Sequence, residues 1–179
     1  MHSEKQYIDL YRECREQICA HSAAPLNAVR DAAFEQFERQ GFPSRKVERY
    51  KYTSVDELFA PDYGVNVNRL EIPVDPYKAF RCDVPNLSTS LYFIVNDQFR
   101  AALQPKENLP EGVVVDSLAA YAQANPQFVA DHYAQLAHAG EDGITALNTM
   151  LAQDGLLVCV KRDVKVDRTI QVINILRSD

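Results

Sequence analysis

Residues 41–54 read GFPSRKVERYKYTS, and the pattern of the chain changes across them. Upstream, apolar residues recur at helical spacing; downstream, short alternating or continuous apolar runs take over. Within the stretch a glycine and a proline precede Arg45, Lys46, Glu48, Arg49 and Lys51, interleaved with Tyr50 and Tyr52, and no histidine or cysteine stands among them. The bland account is a solvated connection between two elements. The alternation of Arg49, Tyr50, Lys51 and Tyr52 suits instead an extended segment that lays one aromatic face on a core and carries cationic stems over its rim. Such a segment would lock the upstream helices onto the downstream elements.

Upstream, the spacing predicts a helix over 4–20, with Tyr7, Tyr11, Cys14 and Ile18 along one side. Pro25 opens a second helix with a stripe of Leu26, Val29, Ala33 and Phe37, widened by Phe34, and Gly41 stands where a C-terminal cap belongs. Downstream, Ser54 and Glu57 fit a capping box for a short turn. No sustained period runs from Val65 to Pro85. Leu91 to Asp97 is a buried strand, NDQF behind it a tight hairpin turn into RAAL (Arg100 to Leu103), and Gly112 to Val115 is a second strand. Asp116 or Ser117 caps a helix through Ala124, and Pro126 restarts one with Phe128, Val129, His132 and Leu136 inward. Asp142 caps another, with Ile144, Leu147 and Leu151 inward and Gly155 at its end. LLVCVKR and TIQVINIL are two closing strands. A chain ending on a strand with an unpaired edge suggests the front part of a longer protein.

A chain of 179 residues with 46% hydrophobic and 25% charged residues is an ordinary globular polypeptide able to bury a core. A net charge of −6 argues against a phosphate-binding surface, so nucleic acid is not an expected partner. No apolar run approaches the ~20 residues of a membrane span and the N-terminus is polar, which points to a cytoplasmic setting without a membrane partner. Cys14, Cys19, Cys82 and Cys159 lack any Cys-x-x-Cys spacing and read as reduced thiols. His2, His21, His132 and His138 form no ligand pair, since His132 and His138 are six residues apart. GEDG at 140–143 lacks the spacing and lysine of a phosphate loop and reads as helix punctuation, and the paired acids Asp56–Glu57 and Glu141–Asp142 sit at helix starts. No catalytic, cofactor-binding or metal-ligating residue is therefore assigned.

The stretch from Gly41 resembles a family signature. Gly41, Pro43, Ser44, Arg45, Lys46, Glu48, Lys51, Tyr52 and Thr53 fall on the Gly-x-Pro-[Thr/Ser]-[Arg/Lys]-Lys-x-Glu-x-Trp-[Lys/Arg]-Tyr-Thr pattern of the SufD subunit of the SUF iron–sulfur cluster assembly scaffold, within the SufB/SufD family. The usual tryptophan is Tyr50 here and the proline after the threonine is Ser54, departures that fit an aromatic packing role open to either ring. LPEGVVVDSL (Leu109 to Leu118) and the passage from Ala146 to Ile175, with Thr169 in place of a proline, are similar to the family in the same order. This last passage is shared with SufB.

The resemblance implies an α+β fold: an N-terminal helical domain with a small β component over 1–153, then at 154–179 the first strands of a right-handed β-helix cut short. It implies a non-catalytic scaffold subunit that works with SufB, with the SufC ATPase and with a sulfur-donor protein, the iron–sulfur cluster being handled by the whole complex and no cofactor held by this part. Gly41, Pro43, Arg45, Lys46, Glu48, Tyr50, Lys51, Tyr52 and Thr53 would then be structural signature positions, and Arg45, Lys46, Arg49 and Lys51 candidate partner contacts. The alternatives are a stand-alone small-molecule enzyme and a helical adaptor unrelated to iron–sulfur assembly.

Overall fold

The computed structural model describes residues 3–75, 78, 89–100 and 109–176. His2, Cys82 and residues 101–103 of the return strand expected at Arg100 to Leu103 lie outside the described residues. In chain order the elements are α1 (Glu4–Ala20), α2 (Ala24–Ala28), α3 (Arg30–Gln40), a 3₁₀ turn (Glu48–Tyr50), α4 (Val55–Leu58), β1 (Thr89–Val95), β2 (Gln98–Phe99), β3 (Val113–Ser117), α5 (Leu118–Ala124), α6 (Pro126–His132), α7 (Gly143–Leu151), β4 (Leu156–Val160) and β5 (Thr169–Ile175). The fold is mixed helix and strand, of the α+β class. Compactness divides it into a helical unit, Met1–Asn68 with Ala122–Gln153, and a strand-bearing unit, Arg69–Tyr121 with Asp154–Asp179.

In the helical unit α1 buries Tyr7, Tyr11 and Ile18 as its spacing requires. The helix expected from Pro25 is two, interrupted at Val29. Next to that break lies Arg30, fully buried: its guanidinium donates to the Met150 carbonyl (2.8 Å), Ser22 Oγ (3.1 Å) and Asn27 Oδ1 (3.0 Å). Burial lowers its pKa, and neutral oxygens replace the water it has lost. Around it, α3 contributes Ala33 and Phe37, and α7 contributes Ala146, Leu147 and Met150, to one buried cluster with Tyr7, Tyr11 and Phe42.

Aromatic rings dominate this core. Phe42 stacks on Phe59 (4.7 Å between centroids) and meets Phe37 (5.2 Å) and Tyr7 (6.0 Å) edge-on, while Tyr11 stacks on Phe34 (4.7 Å). Short α4 is held to α1, with Gln6 Nε2 and the Tyr7 hydroxyl both donating to the Phe59 carbonyl. Ser54 precedes α4 but makes no capping bond, so the capping-box expectation fails there. Helix α6 ends at His132, because Tyr133 turns to an extended backbone and Ala134 takes a positive φ of 59°. Leu136, expected on its inner stripe, is consequently 93% exposed, and of that set only Val129 is buried. Helix α7 buries Ala146, Leu147 and Met150 and ends at Leu151, short of Gly155.

In the strand-bearing unit β1 is the central strand of β2-β1-β5. Its partner β2 is antiparallel through a two-residue turn, with Asn96 and Asp97 both at positive φ (44° and 62°) and Val95 opposite Gln98, the left-handed geometry such hairpins favour. β5 runs parallel to β1 over seven positions, Thr89↔Thr169 to Val95↔Ile175. β1 buries Tyr92, Phe93 and Val95. β3 and β4 pair antiparallel, Val113↔Val160 to Ser117↔Leu156. The two closing strands of the sequence therefore pair with different partners and not with each other.

Candidate functional site

The signature segment is built from consecutive tight turns. Gly41 closes α3, its N–H donating to the Phe37 carbonyl (2.8 Å) at φ 61°, ψ −159°, a conformation that side-chain-bearing residues rarely take. Val47 N donates to the Ser44 carbonyl (3.0 Å), Tyr50 N to Val47 (2.8 Å) and Thr53 N to Tyr50 (2.9 Å). These i→i+3 bonds overturn the expected extended segment. Turning the backbone sends the two tyrosines apart: Tyr50 packs against the core, whereas Tyr52 is 91% exposed.

What holds the segment is the start of α7. A Cβ at Gly143 would lie 1.8 Å from the Gly41 carbonyl oxygen and 2.8 Å from its carbon, so the two backbones touch at a place where only glycine fits. One residue earlier, Asp142 caps α7 by accepting from Thr145 N at Oδ1 (2.9 Å). Its Oδ2 accepts from Arg49 Nη2 (2.8 Å) and the Tyr50 hydroxyl (3.0 Å). Burial alone would raise the Asp142 pKa, but the bonds from Thr145 and Tyr50 outweigh it and leave the carboxyl below its ordinary value. Burial, then the bond to Asp142, raises Tyr50.

The other predicted positions divide cleanly. Gly41, Arg49 and Tyr50 are engaged in this lock, and Pro43 is half-buried beside the core residue Phe42. Among the described residues Arg45 reaches only Glu57, at 3.9 Å, and Lys51 reaches Glu48 at 3.8 Å, all four well exposed; Lys51 also lies over the Tyr52 ring, 5.6 Å from its centroid. Lys46 and Thr53 are exposed. Of the four candidate partner contacts the structure thus commits Arg49 to an internal bond. Sequence reasoning misses Phe42, the unspecified residue between Gly41 and Pro43, although an aromatic beside a helix-ending glycine is a packing signal in its own right.

Among the described residues no three His, Cys, Asp or Glu side chains converge as a metal site, and no helix is long and apolar enough to cross a membrane. Cys14, Cys19 and Cys159 are free and half-buried. Among known families, one described as the SufBD protein N-terminal region matches residues 1–172. The chain belongs to this family. Membership places it among the scaffold-type components of SUF iron–sulfur cluster assembly, without separating SufB from SufD. No curated protein matches the chain.

Proposed function

We propose that the chain is the N-terminal region of a SufD-type subunit, acting without catalysis of its own in a cytoplasmic scaffold with SufB and the SufC ATPase. The family match over residues 1–172 carries this reading. The SufD-like signature at 41–53 supports the choice between the two subunits, and its use as a lock between α3 and α7 suits a part whose work is to hold shape. Partner docking, including docking of a sulfur donor, falls to the signature side chains left outside the lock, and the cluster itself is cargo of the whole assembly. We propose further that β4 and β5 lead into a right-handed β-helix: β5 is an edge strand among the described residues, its pairing with β1 is parallel, and Val172 on it and Leu176 just after it stand exposed. Neither a stand-alone enzyme nor an unrelated adaptor finds a specific observation in its favour.

The test is co-expression of the whole subunit that carries this region with SufB and SufC, followed by complementation. The expected result is a complex containing all three and rescue of cells lacking SufD but not of cells lacking SufB. Rescue of the SufB-deficient cells alone would reverse the subunit assignment, and failure to form any complex would sink the scaffold reading.

A further inference from the structure

We infer that the turned segment from Lys46 to Tyr52 is a docking surface for an acidic segment of a partner protein, with the Tyr52 ring as its apolar anchor. This deepens the docking role proposed above and rests on it for the partner's membership of the assembly.

Within the segment Arg49 and Tyr50 are explained by Asp142, and Glu48 by its loose pairing to Lys51. Tyr52 is not explained: its ring is 91% exposed, and among the described residues its hydroxyl has no hydrogen-bond partner and its one ring contact is Lys51. Val47 is a second large apolar side chain facing water, at 44% exposure. Lys46 has no ion pair among the described residues, and the pairs of Arg45 and Lys51 are long and solvated. Exposed pairs of that kind contribute little, so a partner's carboxylates can replace Glu57 and Glu48 at little cost.

Two further features turn loose side chains into a surface. The backbone that carries them is fixed by successive i→i+3 bonds and pinned at Arg49 and Tyr50. The 3₁₀ turn at Glu48–Tyr50 and the turns on either side of it keep Lys46 and Tyr52 on one short loop. An aromatic carried on a fixed backbone, with the Lys51 ammonium against its ring, has little backbone entropy left to lose on binding, and tyrosine is a frequent anchor at interfaces. Charge selects the partner. Residues 45–51 carry four cations, of which Arg49 is committed to Asp142, and one carboxylate; Arg45, Lys46 and Lys51 leave the loop positive in a chain of net charge −6, so an acidic segment is repelled by the rest of the surface and steered to this loop. The same overall charge disfavours a phosphate backbone.

The probe is a fluorescein-labelled octapeptide of alternating glutamate and leucine or phenylalanine, titrated with the full chain and followed by polarisation. A lysine-for-glutamate version and an oligothymidylate serve as controls. The acidic peptide is expected to bind, to weaken with added salt, and to lose about tenfold in affinity with Tyr52→Ala; Lys46→Glu with Lys51→Glu should weaken it as well. Circular dichroism of each variant should match the parent, because none of these side chains is buried. Equal binding by parent and Tyr52→Ala, no acidic-peptide binding at millimolar concentration, or preference for the oligonucleotide overturns the docking surface. A parent that discriminates the peptides as stated but forms no complex with SufB and SufC supports the surface and removes only the functional reading beneath it.

Discussion

Each unit of this protein is organised around one aspartate, and the two differ in where their partners come from. In the helical unit Asp142 caps α7 through Thr145, three residues on, and its second oxygen receives Arg49 and Tyr50. In the strand-bearing unit Asp154 accepts from Ser117 Oγ (2.7 Å), Ala119 N (3.0 Å), Phe99 N (3.3 Å) and Arg69 Nη2 (3.2 Å). Every one of those donors is at least 35 residues away in sequence. Both carboxylates stand at a helix start, Asp142 at its own helix and Asp154 at α5, whose Leu118 N–H is also taken by the Gly155 carbonyl (2.9 Å). Asp154 is the more enclosed, with its side chain 5% exposed against 13% for Asp142, and its cation Arg69 is 18% exposed against 64% for Arg49. A hub with a local duty can be shared with a surface loop; one whose duties are all distant becomes interior.

The largest loss is expected at Gly143, where the helical unit depends on the absence of a side chain. Gly143→Ala places a methyl 1.8 Å from a backbone oxygen that cannot rotate away, and we expect a loss on the order of 4 kcal/mol. Because the chain has two units, a single unfolding curve does not localise the effect. Amide exchange at Phe37, Ala146 and Met150 does, and unchanged protection there would show that the lock yields easily. Next in size is Asp154→Ala. It leaves Ser117 Oγ and two backbone N–H groups short of an acceptor in a closed site and the Arg69 guanidinium with only the Asp97 carbonyl (3.1 Å), a loss of about 3 kcal/mol. Amide exchange at Phe99 and Ala119 is the measurement. If Asp142→Ala proves the costlier of the two aspartate substitutions, burial is not what ranks them.

The same contrast explains what the sequence disclosed. Asp142 was legible because a helix cap is a short-range device: an acid, then a glycine, then an apolar period. Helix α1 was legible to its ends for the same kind of reason; a hairpin after β1 was legible too, but its turn is the two residues Asn96 and Asp97 and not all of NDQF, since Gln98 and Phe99 already pair with β1. Asp154 carried no such mark, since nothing local distinguishes it from any acid before a glycine. The parallel pairing of β1 with β5 joins residues about 80 apart and was equally silent. In the signature segment the period misled: alternating tyrosines suggested a strand, but Ser44, Val47, Glu48 and Tyr50 carbonyls found donors three residues ahead and the chain turned instead. The identities of the residues in the lock were visible there; the close approach of Gly41 and Gly143, about 100 residues apart, was not.

At Asp142 shape can be separated from charge. Asp142→Ala removes a cap and the acceptor for Arg49 and Tyr50, and should cost about 2–3 kcal/mol. Asp142→Asn keeps an oxygen that can cap but not the charge, and should cost about 1 kcal/mol, the smallest effect among these. Its pH dependence tells more than its size. In the folded protein this carboxyl is held below its ordinary value, so between the folded and unfolded pKa the unfolded chain binds more protons and stability rises with pH. Its contribution is complete above the unfolded value near ~4 and fades as pH falls through the lower folded value. Asp31 behaves in the same direction, held at about 2 chiefly by its bond from Arg15 and then by that from Tyr11. Comparing amide protection at Thr145 and Ala146 between pH 3 and pH 6, the parent should steepen toward acid more than Asp142→Asn, with the Asp31 slope remaining in both. Identical slopes would mean that the carboxylate acts at α7 through its geometry alone, and that the charge of Arg49 contributes nothing to the lock.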